Sequence, residues 1–291
     1  MAGAEFATTQ PKDAGREFAF TTEDFRTIAT VLHGDAGIYL PDTKATLVYS
    51  RLAKRLRTLG LSSFREYCKL IQGNDGIDER QAMLAALTTN VTRFFREPHH
   101  FDHLRDTVMP ALAARARSGG RVRLWSAACS TGQEPYSMAL TVLSVLPDAA
   151  RYDIKILASD IDPNVVQTAR EGVYSREAIE PVPANVRKYL HRAPDAGGDM
   201  WRVDPEVQEL IAFRELNLIK PWPMKGRFDV IFCRNVVIYF DDATQETVWR
   251  KFIDVMSPGA RLYIGHSERV SGDGGRLTSD GLTVYRTGGQ L

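Results

Sequence analysis

Apolar residues recur at helical spacing through the first part of the chain. A helix-start signal at Thr21–Asp24 precedes Phe25, Ile28 and Leu32, which fall on one face of a helix. The same spacing continues in three further segments, Asp42–Leu59, Phe64–Ile71 and Asp78–Leu87. The pattern predicts a small all-helical domain over residues 16–88, which carries no catalytic constellation and follows a loose tail at residues 1–15.

The pattern changes near residue 120, where short apolar runs begin to alternate with helical segments. Val122, Leu124 and Trp125 belong to an apolar run that is typical of a strand buried in a parallel sheet. The small residues Ser130–Gly132 break this run, and helical spacing resumes over Gln133–Leu146. This stretch is therefore predicted to form a strand, a tight turn and a helix.

Five more apolar runs of strand length follow, with helical segments between them. Asp162 and Pro163 form a helix start, and a helix is predicted over Ala243–Met256, ended by Pro258 and Gly259. The alternation predicts an α/β fold with a doubly wound parallel sheet over residues 120–291. The five predicted strands are Ile154–Asp160, Ala212–Leu218, Phe228–Phe232, Arg261–Gly265 and Leu282–Tyr285.

The alternation fails between residues 173 and 211. Pro181, Pro183 and the Gly197–Gly198 turn interrupt this part of the chain, and its flanks have short β-like runs. We expect a small inserted β subdomain at about 180–212, whose edge would suit a binding partner.

Polar residues follow the apolar runs, at the places where parallel strands would end. Such ends meet at one edge of the sheet, where α/β folds bind ligands near helix N-termini. The dinucleotide motif G-x-G-x-x-G is absent, and Glu134 would repel a pyrophosphate. A cationic nucleoside such as S-adenosylmethionine fits better, and Asp160 is comparable to an acid that binds ribose hydroxyls. The strand-end residues are Thr131, Gly132, Glu134, Asp160, Asn217, Arg234 and Asn235.

The segment TTNVTRFFREPHHF, residues 88–101, matches neither the helix period nor the strand period. Pro98 then starts a helix, so we interpret residues 89–119 as a linker and helix lying over the cofactor pocket. His99 and His103 are four residues apart, but no neighbouring cysteine or carboxylate set completes a metal site in the sequence. No metal is predicted.

Composition narrows the class of protein. The 37 basic residues nearly balance the 36 acidic ones, so net charge gives no general attraction to nucleic acid or to an anionic membrane. Cys68, Cys129 and Cys233 are widely spaced, which is typical of a reduced cytoplasm. Neither a membrane span nor a signal peptide is evident. We therefore expect a cytoplasmic protein with no direct membrane insertion.

Four basic residues of the second predicted helix project along neighbouring faces. Two interpretations stand: this basic ridge is the solvated face of a packed helix, or it is a docking surface for an acidic partner. The ridge consists of Lys44, Arg51, Lys54 and Arg55.

Five segments between residues 87 and 268 resemble, in the same order, the chemotaxis receptor methyltransferases (CheR). The resemblance implies transfer of a methyl group from S-adenosylmethionine to receptor glutamates, with S-adenosylhomocysteine as product and no metal. It also implies a Rossmann-like sheet with an inserted antiparallel β subdomain, after an all-α N-terminal domain. The segments are LTTNVTRFFRE, LWSAACSTGQEPYS, ILASDIDPNVV, FDVIFCRNVVIYF and YIGHSE.

The resemblance implies roles for individual residues. Arg96 and Tyr239 would lie at the methyl-transfer site, the basic ridge would dock receptor helices, and the β subdomain resembles one that captures a receptor tail peptide in some members. The chain departs from many relatives at Gln133, which leaves Glu134 to carry the charge there. Cofactor contacts are implied for Asn90, Thr92, Arg96, Glu134, Asp160, Asn217, Leu218, Arg234 and Asn235.

Two other functions stay open at this point. One is a methyltransferase of the same fold acting on nucleic acid or a small molecule, although RNVVIYF replaces the [DN]-P-P-[YF] motif of amino-directed enzymes. The other is a non-catalytic S-adenosylmethionine sensor or receptor-docking module, which the presence of Arg96 and Tyr239 disfavours.

Overall fold

The computed structural model describes residues 16–290, so the expected tail at residues 1–15 lies outside the described residues. The described chain divides into a helical unit, residues 16–35 with Tyr39–Thr88, and an α/β unit, Ala36–Ile38 with the residues from Thr89 onward. The predicted α/β class with a preceding all-α part is confirmed. None of the helices in the described part has the length and apolar character that crossing a membrane requires.

Four helices pack around an aromatic core in the helical unit. Phe64 and Tyr67 are fully buried, and their rings contact each other edge to face with centroids 6.5 Å apart. The second helix was predicted from Asp42, but Asp42–Lys44 form a 3₁₀ turn that precedes it. The helices are α1 (Thr22–Ala36), α2 (Ala45–Leu59), α3 (Phe64–Gln72) and α4 (Ile77–Leu87).

Two arginines of the basic ridge hold α2 and α4 together. Arg55 donates to both carboxylate oxygens of the buried Glu79, at 3.0 and 2.5 Å, and the Tyr67 hydroxyl donates to the same carboxylate at 2.8 Å. Arg51 donates to the carbonyls of Leu87 and Thr88, at 2.7 and 2.9 Å, and so caps the end of α4. Half of the ridge therefore has a structural role within the helical unit.

The α/β unit contains a seven-stranded sheet in the order β6-β2-β1-β7-β8-β10-β9. The first five strands are parallel, and β10 pairs antiparallel to both β8 and β9. The strands are β1 (Val122–Ala127), β2 (Ile154–Asp160), β6 (Ile211–Glu215), β7 (Phe228–Cys233), β8 (Met256–Ile264), β9 (Leu277–Gly281) and β10 (Val284–Thr287).

Both faces of this sheet are covered, which explains the nearly continuous apolar runs of its central strands. Neighbouring residues of a strand point to opposite faces, so Leu124 and Trp125 of β1 enter two separate core clusters. Cys129 and Cys233 are also buried, one in each cluster. The helices of these layers are α5 (Pro98–His103), α6 (Met109–Arg117), α7 (Gln133–Val145), α8 (Pro163–Glu171) and α11 (Asp242–Asp254), with a π-helical segment, Leu104–Val108, between α5 and α6.

The inserted subdomain is a three-stranded antiparallel sheet in the order β3-β5-β4. It begins at Val173, earlier than the predicted 180, because the residues directly after α8 already pair with β5. It ends before Ile211, which belongs to the main sheet. Its elements are β3 (Val173–Ser175), α9 (Arg176–Ile179), β4 (Leu190–Arg192), β5 (Met200–Val203) and α10 (Pro205–Gln208).

Several sequence predictions of element bounds were wrong. The helix predicted over Ala243–Met256 ends at Asp254, because Met256 already pairs with Phe228 of β7. Pro258 and Gly259 lie within β8, where the register with β7 shifts. The strand predicted over Ala212–Leu218 is Ile211–Glu215, and β9 escaped prediction because only its first residue is buried.

Arg55→Ala should destabilise the helical unit, because it leaves the buried Glu79 carboxylate without its cation. We expect a loss of about 2–4 kcal/mol in the free energy of opening this unit, measured by hydrogen exchange of amides in α2 and α4. Lys54→Ala, at the exposed neighbouring position, is the control and should change it by less than about 0.5 kcal/mol. Equal protection of the α2 and α4 amides from hydrogen exchange in the two variants would contradict a stabilising role for the ion pair.

Candidate active site

The order of strands reverses between β1 and β7. From β1 the chain proceeds through β2 to β6 on one side, and from β7 it proceeds to β8 on the other. Such a switch point opens a crevice at the carboxyl ends of the two strands. Ala127 and Cys233, the last residues of these strands, lie opposite each other in the register. The residues that follow them are thereby brought together.

A buried arginine lies at this switch point. The side chain of Arg234 is only 2% exposed, and its guanidinium lies 3.1 Å from Glu134 Oε2 and 3.1 Å from Glu97 Oε2. It also donates a 2.5 Å hydrogen bond to the carbonyl of Arg96. The other Glu134 oxygen accepts a hydrogen bond from Ser126 at 2.7 Å. This charge cluster joins the end of β1, the start of α7, the end of β7 and the segment before α5.

Glu97 is a site residue that sequence reasoning missed. Its backbone has a positive φ of 57°, and its second carboxylate oxygen lies 2.9 Å from His266 Nδ1. Burial works to raise the pKa of Glu97, but the hydrogen bond from His266 and the charge of Arg234 outweigh it and lower the pKa to about 2. The signal available in the sequence was its place at the end of the segment LTTNVTRFFRE.

The turn after β1 is tightly constrained. Ala128, Ser130 and Gly132 all have positive φ, and a Cβ on Gly132 would lie 2.7 Å from the Tyr174 hydroxyl. Only glycine fits this position without displacing its neighbours. The turn lies close to the end of β2, because the main-chain N–H of Ser130 donates to the Asp160 carboxylate.

Asp160 ends β2 beside this turn. Its carboxylate accepts hydrogen bonds from the amides of Ser130, at 2.8 Å, and of Asp162, at 3.1 Å. Burial nevertheless raises the pKa of Asp160 above its ordinary value, although these two hydrogen bonds oppose the change. Asp162 caps α8 by accepting from the Asn164 amide. The helix-capping role therefore belongs to Asp162 and not to Asp160.

The segment before α5 lies along the same edge of the sheet. The Ser130 hydroxyl donates to the carbonyl of Asn90 at 3.0 Å, and Ser137 of α7 accepts from the Phe95 amide at 2.9 Å. Arg96 is half-buried and donates to the carbonyl of Val91 at 3.0 Å. Thr92 is also half-buried and lies between these anchor points in the chain.

The loop after β6 is attached to Asp160 through its backbone. The amide of Leu216 donates to the Asp160 carbonyl at 2.8 Å, and the Asn217 side chain accepts from the amide of Ile219 at 3.0 Å. Lys251 donates to the carbonyl of Leu218 at 2.6 Å, and burial lowers the pKa of this lysine to about 8. Asn217 and Leu218 are thus held near the end of β2.

The loop after β7 carries the remaining two predicted site residues. Asn235 has a positive φ of 58°, and Tyr239 closes the short 3₁₀ turn Val237–Tyr239 with 39% of its surface exposed. Glu268 accepts hydrogen bonds from the backbone of this loop. None of the hydrogen bonds within residues 16–290 links Tyr239 to Arg96, whose side chain donates to Val91 instead.

The histidines form a different arrangement from the one considered in the sequence. His103 pairs with the Tyr263 hydroxyl at 2.8 Å, while His99 lies with Glu97 and His100 in a cluster whose ligand atoms are within 4.8 Å of one another. A carboxylate is therefore present, contrary to the sequence-based argument. The guanidinium of Arg234 lies against this carboxylate, however, and its positive charge opposes a metal cation there.

The charge of the site favours a cationic ligand with hydroxyl groups. Burial raises the pKa of Glu134, and the opposing attraction of Arg234 does not fully reverse this. An ammonium near Glu134 and hydroxyl donors near Asp160 would stabilise both carboxylates in their charged forms. S-adenosylmethionine provides these groups, so the residues present fit this cofactor.

Comparison with known proteins identifies the family. Residues 90–285 match the family described as "CheR methyltransferase, SAM binding domain", and residues 23–88 match "CheR methyltransferase, all-alpha domain". Together these matches cover most of the chain, and they confirm the resemblance inferred from the sequence.

Three curated relatives cover nearly the whole chain. A "Probable chemotaxis protein methyltransferase" of Rhizobium etli is 56% identical over 258 residues, which cover 88% of this chain and 96% of the relative. The "Chemotaxis protein methyltransferase" of Escherichia coli is 43% identical, and the match covers 92% of this chain and 91% of the relative. "Chemotaxis protein methyltransferase 2" of Pseudomonas aeruginosa is 42% identical, and the match covers 96% of this chain and 98% of the relative. The chain therefore belongs to the CheR family of S-adenosylmethionine-dependent methyltransferases.

Proposed function

We propose that this chain transfers a methyl group from S-adenosylmethionine to glutamate side chains on the cytoplasmic helices of chemotaxis receptors, and so sets sensory adaptation. The observation that carries the proposal is the buried cluster of Arg234, Glu134 and Glu97 at the switch point. The cluster holds the Glu134 carboxylate and the Arg96 backbone at the switch point, where a cationic cofactor would bind.

In this proposal the cofactor is held by residues at the ends of β1, β2, β6 and β7. Glu134 would meet the α-ammonium group, and Asp160 the ribose hydroxyls. When bound, the cofactor supplies an electrophilic methyl group on a sulfonium. The remaining proposed contacts are Asn90, Thr92, Arg96, Asn217, Leu218, Arg234 and Asn235.

The acceptor needs little chemical activation. A glutamate side chain is already ionised near pH 7, so it can attack without a general base. The protein must instead align the carboxylate with the methyl group and exclude water. The opposite charges of acceptor and sulfonium cancel as the new bond forms, so a site with less water lowers the barrier. We assign this positioning to Arg96, which would orient the carboxylate, and to Tyr239, which would donate a hydrogen bond without adding charge.

Receptor docking is assigned to the basic ridge, with its members in unequal roles. Arg51 and Arg55 make the internal contacts of the helical unit described above. Lys44 and Lys54 are exposed and can therefore meet glutamate-rich receptor helices more freely. Charge reversal at Arg51 and Arg55 would disturb folding as well as docking, so the lysines give the cleaner test.

The inserted subdomain is the proposed site for a receptor tail peptide. In its three-stranded sheet, β3 and β4 are the edge strands, and each pairs on one side only. Unpaired backbone groups on an edge can accept an added peptide strand.

The proposed reaction is tested by incubating the protein with methyl-labelled S-adenosylmethionine and receptor-containing membranes. We expect label on the receptor that is released by mild base, because a glutamate methyl ester is base-labile. Base-stable label would instead indicate a methyltransferase with another acceptor group. Cofactor binding by calorimetry without any transfer would indicate a sensor, and both results would contradict the proposal.

Tyr239→Phe tests the proposed positioning by the tyrosine hydroxyl. We expect kcat to fall about 10- to 100-fold because the acceptor carboxylate loses a positioning hydrogen bond, while the calorimetric affinity for S-adenosylhomocysteine stays the same. Tyr285→Phe, a half-buried tyrosine of β10, is the matched control. A wild-type kcat in Tyr239→Phe would remove the hydroxyl from the mechanism.

A Lys44→Glu and Lys54→Glu double variant tests the docking surface. We expect KM for the receptor to rise about tenfold at low ionic strength, with unchanged kcat, and the difference should narrow at high salt as the charges are screened. Arg65→Glu with Lys69→Glu changes the net charge equally at two exposed positions of α3. The same rise in that control would show that general charge, and not the ridge, determines docking.

A further inference from the structure

Glu268 is a buried carboxylate bound entirely by backbone amides. Its side chain lies four residues after the end of β8, and the residue is only 3% exposed. One oxygen accepts from the amides of Val236 and Val237 at 2.9 Å each, and the other from the amides of Asn235 at 2.9 Å and Gly265 at 2.6 Å. Within residues 16–290, the Glu268 carboxylate forms no ion pair.

Three of these four amides are consecutive residues of the loop after β7. The segment begins directly after Arg234, and it leads into the turn that ends at Tyr239. One side chain therefore fixes the backbone that carries Asn235 and leads to Tyr239, two residues of the proposed site. Asn235 has its positive φ within this segment, a conformation that persists only when surrounding contacts determine it.

The loops after β7 and β8 approach each other closely at Gly265. A Cβ at this position would lie 2.6 Å from the Asn235 side-chain nitrogen, 2.9 Å from the Asn235 amide and 2.9 Å from the Glu268 carboxylate. The absence of a side chain at Gly265 thus allows the carboxylate to reach the neighbouring loop. The sequence segment YIGHSE contains both residues.

We propose that Glu268 is a positioning residue for methyl transfer, which acts by holding the backbone of residues 235–237 and so placing Tyr239 against the acceptor. This inference rests on the proposed function. A carboxylate that only stabilises the fold would affect the reaction whether or not the Tyr239 hydroxyl is present. The proposed effect of Glu268 instead depends on Tyr239.

A double-mutant cycle of Glu268→Gln and Tyr239→Phe tests this dependence. Glutamine keeps one acceptor oxygen but presents an NH₂ group to two of the amides, so those two hydrogen bonds are lost. We expect E268Q to lower kcat about 10- to 100-fold in the wild-type background, but less than about threefold in the Y239F background. Amide exchange in residues 235–239 should also become faster in E268Q.

Asp229→Asn is the matched control. Asp229 is equally buried at 3% exposure, and at the other end of β7 its carboxylate accepts from the Arg123 amide and pairs with Arg115 at 2.6 Å. This variant should leave kcat within about twofold, as expected for a site that is not coupled to the reaction, and it should not alter exchange at residues 235–239. If E268Q does not fold, E268D, which keeps the charge but shortens its reach, replaces it in the cycle.

Several outcomes would overturn the inference: a wild-type kcat in the Glu268 variant, an equal fold-loss in both backgrounds, or a wild-type kcat in Y239F. A wild-type chain that binds S-adenosylhomocysteine but never methylates receptors would defeat the proposed function instead. The two failures are therefore distinguishable.

Discussion

The ion pairs of Arg234 are the interaction on which the α/β unit's candidate site depends. A guanidinium with 2% exposure needs negative partners, because an uncompensated buried charge is strongly destabilising. Glu134 and Glu97 meet this need at different nitrogens of the guanidinium, and the Arg96 carbonyl accepts a further hydrogen bond. The same contacts therefore offset the cost of burying the guanidinium charge, and they bring distant parts of the sequence to one crevice.

Much of this crevice could be predicted from the sequence, because parallel strands place their final residues at a common edge. Asp160 and Arg234 lie at the ends of apolar runs, and Glu134 lies at the start of the helix after one, so strand order brings all three to this edge. Glu97 follows no such run, and the roles of Glu97 and Glu268 depend on contacts across 137 and 33 residues with Arg234 and Asn235. Local patterns contain no information about such pairing.

The misplaced elements have a related explanation. Pro258 and Gly259 were predicted to end a helix but lie within β8, because a shift of register inside a strand gives the same local signal as the end of a helix. In the basic ridge, helical spacing predicted that four cations lie near each other, but it gave no sign that Arg55 has a buried partner in Glu79. Spacing predicts the direction of a side chain, whereas its role depends on what another helix presents to it.

The three cysteines give this protein an internal means of reporting its own opening. Cys68 is buried in the helical unit, and Cys129 and Cys233 are buried in the α/β unit. Burial raises the pKa of the Cys68 thiol to about 12 and those of the other two well above the ordinary value, so the reactive thiolate is scarce in the folded chain. An alkylating reagent would consequently label each unit only as it unfolds, which separates the two stabilities within a single molecule.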